Sequence, residues 1–91
     1  MKKIEQEMLE AIRDKRPWEK DNTRVIYIPQ IDSIGVSLHG ELIARDVGYG
    51  WEIAWNTLRT TPKVHTKTTA SRLRAIGFNV HLRGGLMLVE E

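Results

Sequence analysis

The chain has no cysteine, and none of its apolar runs is long. Without cysteine it has no disulfide framework, no thiolate zinc site and no cysteine nucleophile, which is typical of a reducing compartment. No run approaches the roughly 20 apolar residues of a transmembrane helix, and the segment 1–16 is too charged for the apolar part of a signal peptide. We therefore expect a cytoplasmic protein that makes no contact with a membrane.

Acidic residues are missing from one long stretch, which runs from residue 59 to residue 83. The net charge of the whole chain is only +2, so this stretch is a local concentration of positive charge. It contains two histidines and six basic residues, namely Arg59, Lys63, Lys67, Arg72, Arg74 and Arg83. Such a surface suits phosphate groups or an acidic protein.

The catalytic and metal-binding motifs that we searched for are also lacking. His39, His65 and His81 form no His-x-x-x-His or Glu-x-x-His pair, and the glycines lie in turns between strands, where no phosphate loop is expected. No serine lies in a Gly-x-Ser-x-Gly context. We expect a protein that is not an enzyme and that needs neither a metal nor another cofactor.

Length and composition indicate one small globular domain over residues 1–91. The chain is 41% hydrophobic and 29% charged, as in ordinary folded proteins, and it is too short for a second core. Apolar residues at helical spacing predict an amphipathic helix over 2–16, which Pro17 ends, with Trp18 folding back onto the core. The acidic residues of this helix are predicted to face water.

The middle of the chain predicts an antiparallel meander of three or four strands. The run 24–28 carries apolar side chains on both of the faces that alternate along a strand. This pattern predicts a strand that is covered on both sides. Residues 34–38 and 42–47 form a hairpin with Gly40-Glu41 as its turn, and a turn at 48–50 leads to a strand over 51–55. Residues 56–65 show no periodicity and predict a loop.

A second helix over about 67–76 has the clearest boundaries. A threonine at 66, 68 or 69 can cap its first turn, and Gly77 followed by Phe78 matches a Schellman ending. Residues 79–82 and 86–89 flank two glycines and predict a C-terminal β-hairpin that extends or covers the sheet. The fold class is therefore α+β.

The second helix places Lys67, Ser71 and Arg74 on one face at positions i, i+4 and i+7, opposite an apolar face. Arg72 projects beside the edge of the apolar face, while Arg59, Lys63 and Arg83 lie before and after the helix. These seven residues are the predicted contact surface. The alternative is that their charge only balances the acidic first helix.

Part of the chain also resembles a known family. The segments that carry the likeness cover about residues 22–78: Asn22-Thr23-x-Val25, Leu38-His39-Gly40-x-x-Ile43-Ala44, a strand ending at Trp55, and Thr68-Thr69-x-Ser71-Arg72-Leu73-x-Ala75-x-Gly77. This combination resembles a family of small accessory proteins of tailed bacteriophages that has no established activity. The resemblance implies a phage origin and expression in the cytoplasm of a host bacterium.

Three hypotheses follow. The first is a phage accessory protein that binds the backbone of a nucleic acid through the segment 59–83. The second is an inhibitor or adaptor that binds a host protein, such as a nuclease, a polymerase or a defence component. The third, which is compatible with either, is a homodimer formed through an open sheet edge, for which the terminal hairpin is the candidate.

Overall fold

The structure is a computed structural model that describes residues 2–90, apart from the side chain of Pro62. Its main sheet is an antiparallel meander in the order β1-β2-β3-β4-β5. The prediction of an α+β fold with a meander, flanking helices and a terminal hairpin is confirmed. The strands are β1 Trp18–Lys20, β2 Thr23–Ile28, β3 Ser33–Leu38, β4 Glu41–Asp46 and β5 Trp51–Ile53.

Three helices and a separate hairpin complete the fold. The helices are α1 Lys3–Arg13, α2 Trp55–Thr60 and α3 Lys67–Ile76, with a single 3-10 turn at Pro62–Val64. Strands β6 Asn79–Arg83 and β7 Leu86–Glu90 form a two-stranded sheet of their own, so the hairpin does not extend the meander. Among residues 2–90, no helix is long and apolar enough to cross a membrane.

The core lies between the helices and one face of the meander, which we call the inner face. A row of directly paired residues crosses four strands there, formed by Val25, Val36, Ala44 and Ile53. All four are buried, and Met8 of α1 and Leu73 of α3 belong to the same apolar cluster. Trp18 packs against this cluster as predicted, and it lies in the edge strand β1, which makes the meander five-stranded where three or four strands were predicted.

The prediction that β2 is covered on both faces is wrong. Val25 faces the core, whereas Ile26 and Ile28 are 37% and 44% exposed on the opposite, outer face of the sheet. The reason is that the buried residues of α1 and α3 join the cluster on the inner face, and no helix covers the outer side of β2. A β-branched run does not reveal by itself whether a second layer covers it.

The turn between β3 and β4 lies one residue earlier than predicted. His39 and Gly40 both have positive φ, as a type I′ turn requires, and Leu38 pairs directly with Glu41. A β-bulge then shifts the register, so that Ala44 faces Val36. The bulge lets consecutive residues Ile43 and Ala44 both be buried.

Two further boundaries differ from the predictions. Trp55 begins α2 and does not end β5, and the segment predicted as a loop over 56–65 contains α2 and the 3-10 turn. Both are too short to show a helical period, and among their side chains that the structure describes the buried apolar ones are Leu58 and Val64.

The predicted ends of α3 are confirmed. The Thr66 hydroxyl accepts a hydrogen bond from the Thr69 amide, and Gly77 ends the helix with φ near 129°. The Phe78 amide donates to the Leu73 carbonyl and the Gly77 amide donates to the Arg74 carbonyl, which is the Schellman pattern. These caps fix where the basic face of α3 begins and ends.

Candidate nucleic-acid interface

Arg72 is not part of any exposed surface. It is 6% exposed, its Nη1 lies 2.8 Å from Glu5 Oε2, and its Nε donates to the Thr23 hydroxyl at 3.1 Å. The prediction that Arg72 contacts phosphate is therefore wrong. Its guanidinium links α3 to α1 and β2 inside the protein.

Glu5 is the residue that sequence reasoning missed. We predicted that the acidic residues of α1 face water, yet Glu5 is 4% exposed and also accepts a hydrogen bond from the Ser71 hydroxyl. Its position three residues before the buried Met8 places it on the packed face of the helix, which is a signal that the spacing contains. The charge of Arg72 therefore balances an acid of the first helix, as the alternative interpretation held.

The basic face of α3 lines a groove that we call the cationic groove. Its volume is about 500 Å³ and its lining residues are Lys2, Lys67, Ser71, Arg74, His81 and Leu82. No lining residue is acidic. The predicted grouping of Lys67, Ser71 and Arg74 on one helix face is thus reproduced, with Lys2 of the N-terminus and His81 of β6 added to it.

The other predicted residues do not join this groove. Arg59 lies exposed in the last turn of α2, and Arg83 lies exposed at the end of β6. Lys63 lies 3.5 Å from Glu41 beside a smaller cavity that both residues line. The acid-free stretch of sequence is therefore distributed over several surfaces.

The cations of the groove differ from most others in their surroundings. Within residues 2–90, no carboxylate lies within 4.0 Å of the Lys2, Lys67 or Arg74 side chain. In contrast, carboxylates pair with most cations at the exit of α1 and along the sheet, namely Arg13, Lys15, Arg16, Lys20 and Arg45. Lys2, Lys67 and Arg74 therefore keep their positive charge available to a ligand, as do Arg24, Arg59 and Arg83 on other surfaces, but only in the groove do several such cations line one cavity among the described residues.

Two contacts hold the hairpin that forms one wall of the groove. Arg74 Nε donates to the Val80 carbonyl at 2.8 Å, which orients the guanidinium. His65 Nδ1 accepts from the Met87 amide at 2.9 Å, while its Nε2 lies 2.7 Å from the Leu58 carbonyl. Since Nδ1 accepts, the proton is on Nε2, and the ring joins α2 to β7.

Replacing His65 with leucine is expected to loosen the hairpin, because the Met87 amide loses its acceptor. An unmade hydrogen bond of this kind costs about 1–3 kcal/mol, so exchange of the Met87 amide should accelerate at least roughly fivefold. Hydrogen exchange followed by NMR measures it, with the Val36 amide of the meander as the internal control. Unchanged exchange at Met87 would show that His65 does not hold the hairpin.

One cluster at the other end of α1 makes stability depend on pH. Lys15 Nζ lies 2.8 Å from Asp32 Oδ1, and the Tyr27 hydroxyl donates to the same oxygen at 3.2 Å. The hydrogen bond from Lys15, followed by that from Tyr27, lowers the pKa of Asp32, and the same contact raises the pKa of Lys15.

A lowered folded-state pKa stabilises the protein above the ordinary value of aspartate, and this contribution is lost as the pH falls through the folded value. Asp32→Asn should therefore lower the thermal midpoint of unfolding at neutral pH, with the difference shrinking below about pH 4. Asparagine tolerates the positive φ of this position, so the turn is retained. A difference that is constant between about pH 3 and about pH 7 would contradict the assignment.

In the part of the chain that the structure describes, no three histidine, aspartate or glutamate side chains are grouped so that they could hold a metal ion.

The family model described as the Kyanoviridae Gp96 protein matches residues 1–89. The chain belongs to this family. It is a family of phage proteins, as the resemblance implied, and the match covers a longer region than the expected 22–78. No curated protein and no solved structure matches the chain.

Proposed function

We propose that this phage protein is a non-enzymatic accessory protein that binds the sugar-phosphate backbone of a nucleic acid in the host cytoplasm. The cationic groove is the binding site. The observation that supports it is the convergence of Lys2, which precedes α1, with Lys67 and Arg74 of α3 on one groove without an acidic lining residue.

The chemistry of the groove favours phosphate over bases. Lysine and arginine side chains displace the counterions condensed on a nucleic-acid backbone, and the Arg74 Nη groups can reach phosphate oxygens while Nε stays on the Val80 carbonyl. The lining contains no Phe, Tyr or Trp, and the imidazole of His81 offers an unpaired base only one small ring on which to stack. The groove therefore suits a duplex, held without sequence readout.

Titration of a labelled short DNA duplex, RNA duplex and single strand tests the proposal. Three cations predict a salt slope of about −2.7 for duplex DNA, so the affinity should fall roughly 40-fold between about 50 mM and about 200 mM salt. Single strands should bind more weakly than either duplex. Absence of binding to all three at tens of micromolar protein and about 50 mM salt would end the proposal.

The titration is combined with a second experiment, in which the protein is used to purify its binding partners from a nuclease-treated bacterial lysate. If no nucleic acid binds and a host nuclease, polymerase or defence component is retained in stoichiometric amount, the groove is a protein-binding surface and the inhibitor or adaptor hypothesis replaces this one. Retention that nuclease abolishes supports the nucleic-acid function.

A further inference from the structure

The outer face of the meander is apolar where a solvated sheet is ordinarily polar. A strand with one face in water alternates apolar and polar residues, but β2 presents Ile26 and Ile28 at its outward positions. Val47, just after β4, is 41% exposed, and Ile31 in the β2–β3 turn is 63% exposed. These residues form a patch that no other part of the described chain covers.

This patch contains a surface cavity. A Cβ at Gly35 would lie 3.1 Å from Leu42 Cδ1, so the absence of a side chain at Gly35 allows the Leu42 side chain to pack against β3. Around it lies a cavity of about 270 Å³, whose lining includes the apolar side chains Ile26, Ile28, Ile31, Leu42 and Val47. The cavity is large enough to accept one large side chain.

Next to this cavity in the sequence is an almost fully exposed side chain, that of Tyr49. Tyr49 is 96% exposed, and it lies two residues from Val47 of the cavity wall. Its loop is braced, because Asp46 Oδ1 accepts hydrogen bonds from the Gly48 amide at 2.8 Å and the Gly50 amide at 3.3 Å. The β2–β3 and β4–β5 turns lie at the same end of the meander, so Tyr49 and Ile31 flank the same end of the patch.

The charged residues of this face are equal in number and opposite in sign. Arg45 Nε lies 2.7 Å from Glu52 Oε1, and Glu19 of β1 lies across the β-ladder from Arg24 of β2. The two cations and two anions sum to zero, so the face offers neither a strongly acidic nor a strongly basic partner any complementary charge. A neutral apolar face is compatible with a copy of itself.

We propose that the outer face is a homodimer interface, in which Tyr49 of each copy enters the apolar cavity of the other. In a two-fold, isologous contact the same surface of both copies meets, so each copy must supply both the inserted side chain and the cavity that receives it. The outer face carries both, since Tyr49 lies near the apolar cavity. Tyrosine is also a side chain that interfaces favour as an anchor. This replaces the sheet edge of the terminal hairpin as the dimer contact.

The size of the face predicts a weak dimer. Five strands spaced about 4.8 Å apart and up to six residues long give a projected face of roughly 400 Å². With the two loops, such a contact is at the small end of specific interfaces, where weak and transient complexes are found. The cationic grooves belong to the opposite, helix-covered side, so a dimer carries two grooves that point outwards.

Sedimentation equilibrium from about 5 to about 500 µM protein tests the inference, with a dissociation constant expected on the order of 10–100 µM. Tyr49→Ser and Ile31→Asp should each weaken the dimer at least tenfold. Leu86→Asp is the matched control: Leu86 is 59% exposed on the terminal hairpin, and its replacement should leave the constant unchanged. Circular dichroism confirms that the variants fold, which is expected because these side chains lie in solvent in the single chain.

Three results would overturn the inference. The first is a mass of one chain, 10.5 kDa, at every concentration. The second is a dimer that Leu86→Asp dissociates while Tyr49→Ser and Ile31→Asp do not, which would place the contact on the hairpin. The third is a monomer that binds a different polypeptide through Tyr49, which would assign the face to a heterologous partner.

Discussion

Replacing Arg72 with methionine is expected to lower the free energy of unfolding by about 3–5 kcal/mol. The substitution leaves Glu5 with its charge in a site that excludes water, and it removes the donor that the Thr23 hydroxyl accepts from. The Ser71 hydroxyl alone cannot balance a buried carboxylate. Urea unfolding followed by circular dichroism measures the loss.

The second half of the same experiment is the double variant Glu5→Leu/Arg72→Met. Replacing both charges with apolar side chains removes the uncompensated anion, and buried pairs treated in this way are often neutral or stabilised. We therefore expect the double variant to recover most of the loss. The outcome that contradicts the account is a double variant less stable than Arg72→Met.

Lys67→Met is the control on the same helix. Lys67 is exposed and has no acidic partner among the described residues, so its replacement should change the stability by less than about 0.5 kcal/mol. A loss as large as that of Arg72→Met would mean that any removal of charge from α3 destabilises the protein, and that the pair with Glu5 is not special.

The largest expected effect on binding comes from reversing charge in the cationic groove. Each backbone contact contributes roughly a factor of ten in affinity near 0.1 M salt, so Lys67→Glu should weaken duplex binding by at least about tenfold and reduce the salt slope by about one. Lys2→Glu/Lys67→Glu should weaken it by about a hundredfold. Fluorescence anisotropy measures both changes.

Arg13→Glu is the charge-matched control. It alters the net charge as much as Lys67→Glu does, but Arg13 lies 11 residues from Lys2 along α1, which is about 16 Å and beyond the screening length of roughly 10 Å at 0.1 M salt. Its affinity should stay within about twofold of the original. Equal losses in both variants would show that net charge alone governs binding and that the groove is not the site.

The sequence alone correctly predicted the elements whose ends are marked by capping or turn residues. The Thr66 cap and the Gly77-Phe78 ending delimit α3, and the two glycines at 84 and 85 define the terminal hairpin. Where an element depends on its neighbours, the pattern failed. The bulge at Ile43 and the short α2, whose buried residue is Leu58, depend on packing against other elements, which no local period encodes.

The site was predictable only in part for the same reason. Helical spacing places Lys67, Ser71 and Arg74 on one face, but it cannot say that Arg72 meets a carboxylate 67 residues away. The long separation in sequence also hid Lys2, whereas His81 is only seven residues from Arg74 and reaches the groove because the hairpin packs beside α3. The signals that could have been used were the position of Glu5 beside Met8 and the presence of His81 in the acid-free stretch.

The most direct test of the central claim is a titration of the isotope-labelled protein with a short DNA duplex, followed by amide chemical shifts at low salt. We predict that the largest shifts occur at Lys67, Ser71, Arg74 and His81, and that they reverse when salt is added. Shifts that are absent at tens of micromolar protein, or that are largest at Ile28, Ile31 and Tyr49 of the outer face, would contradict binding in the cationic groove.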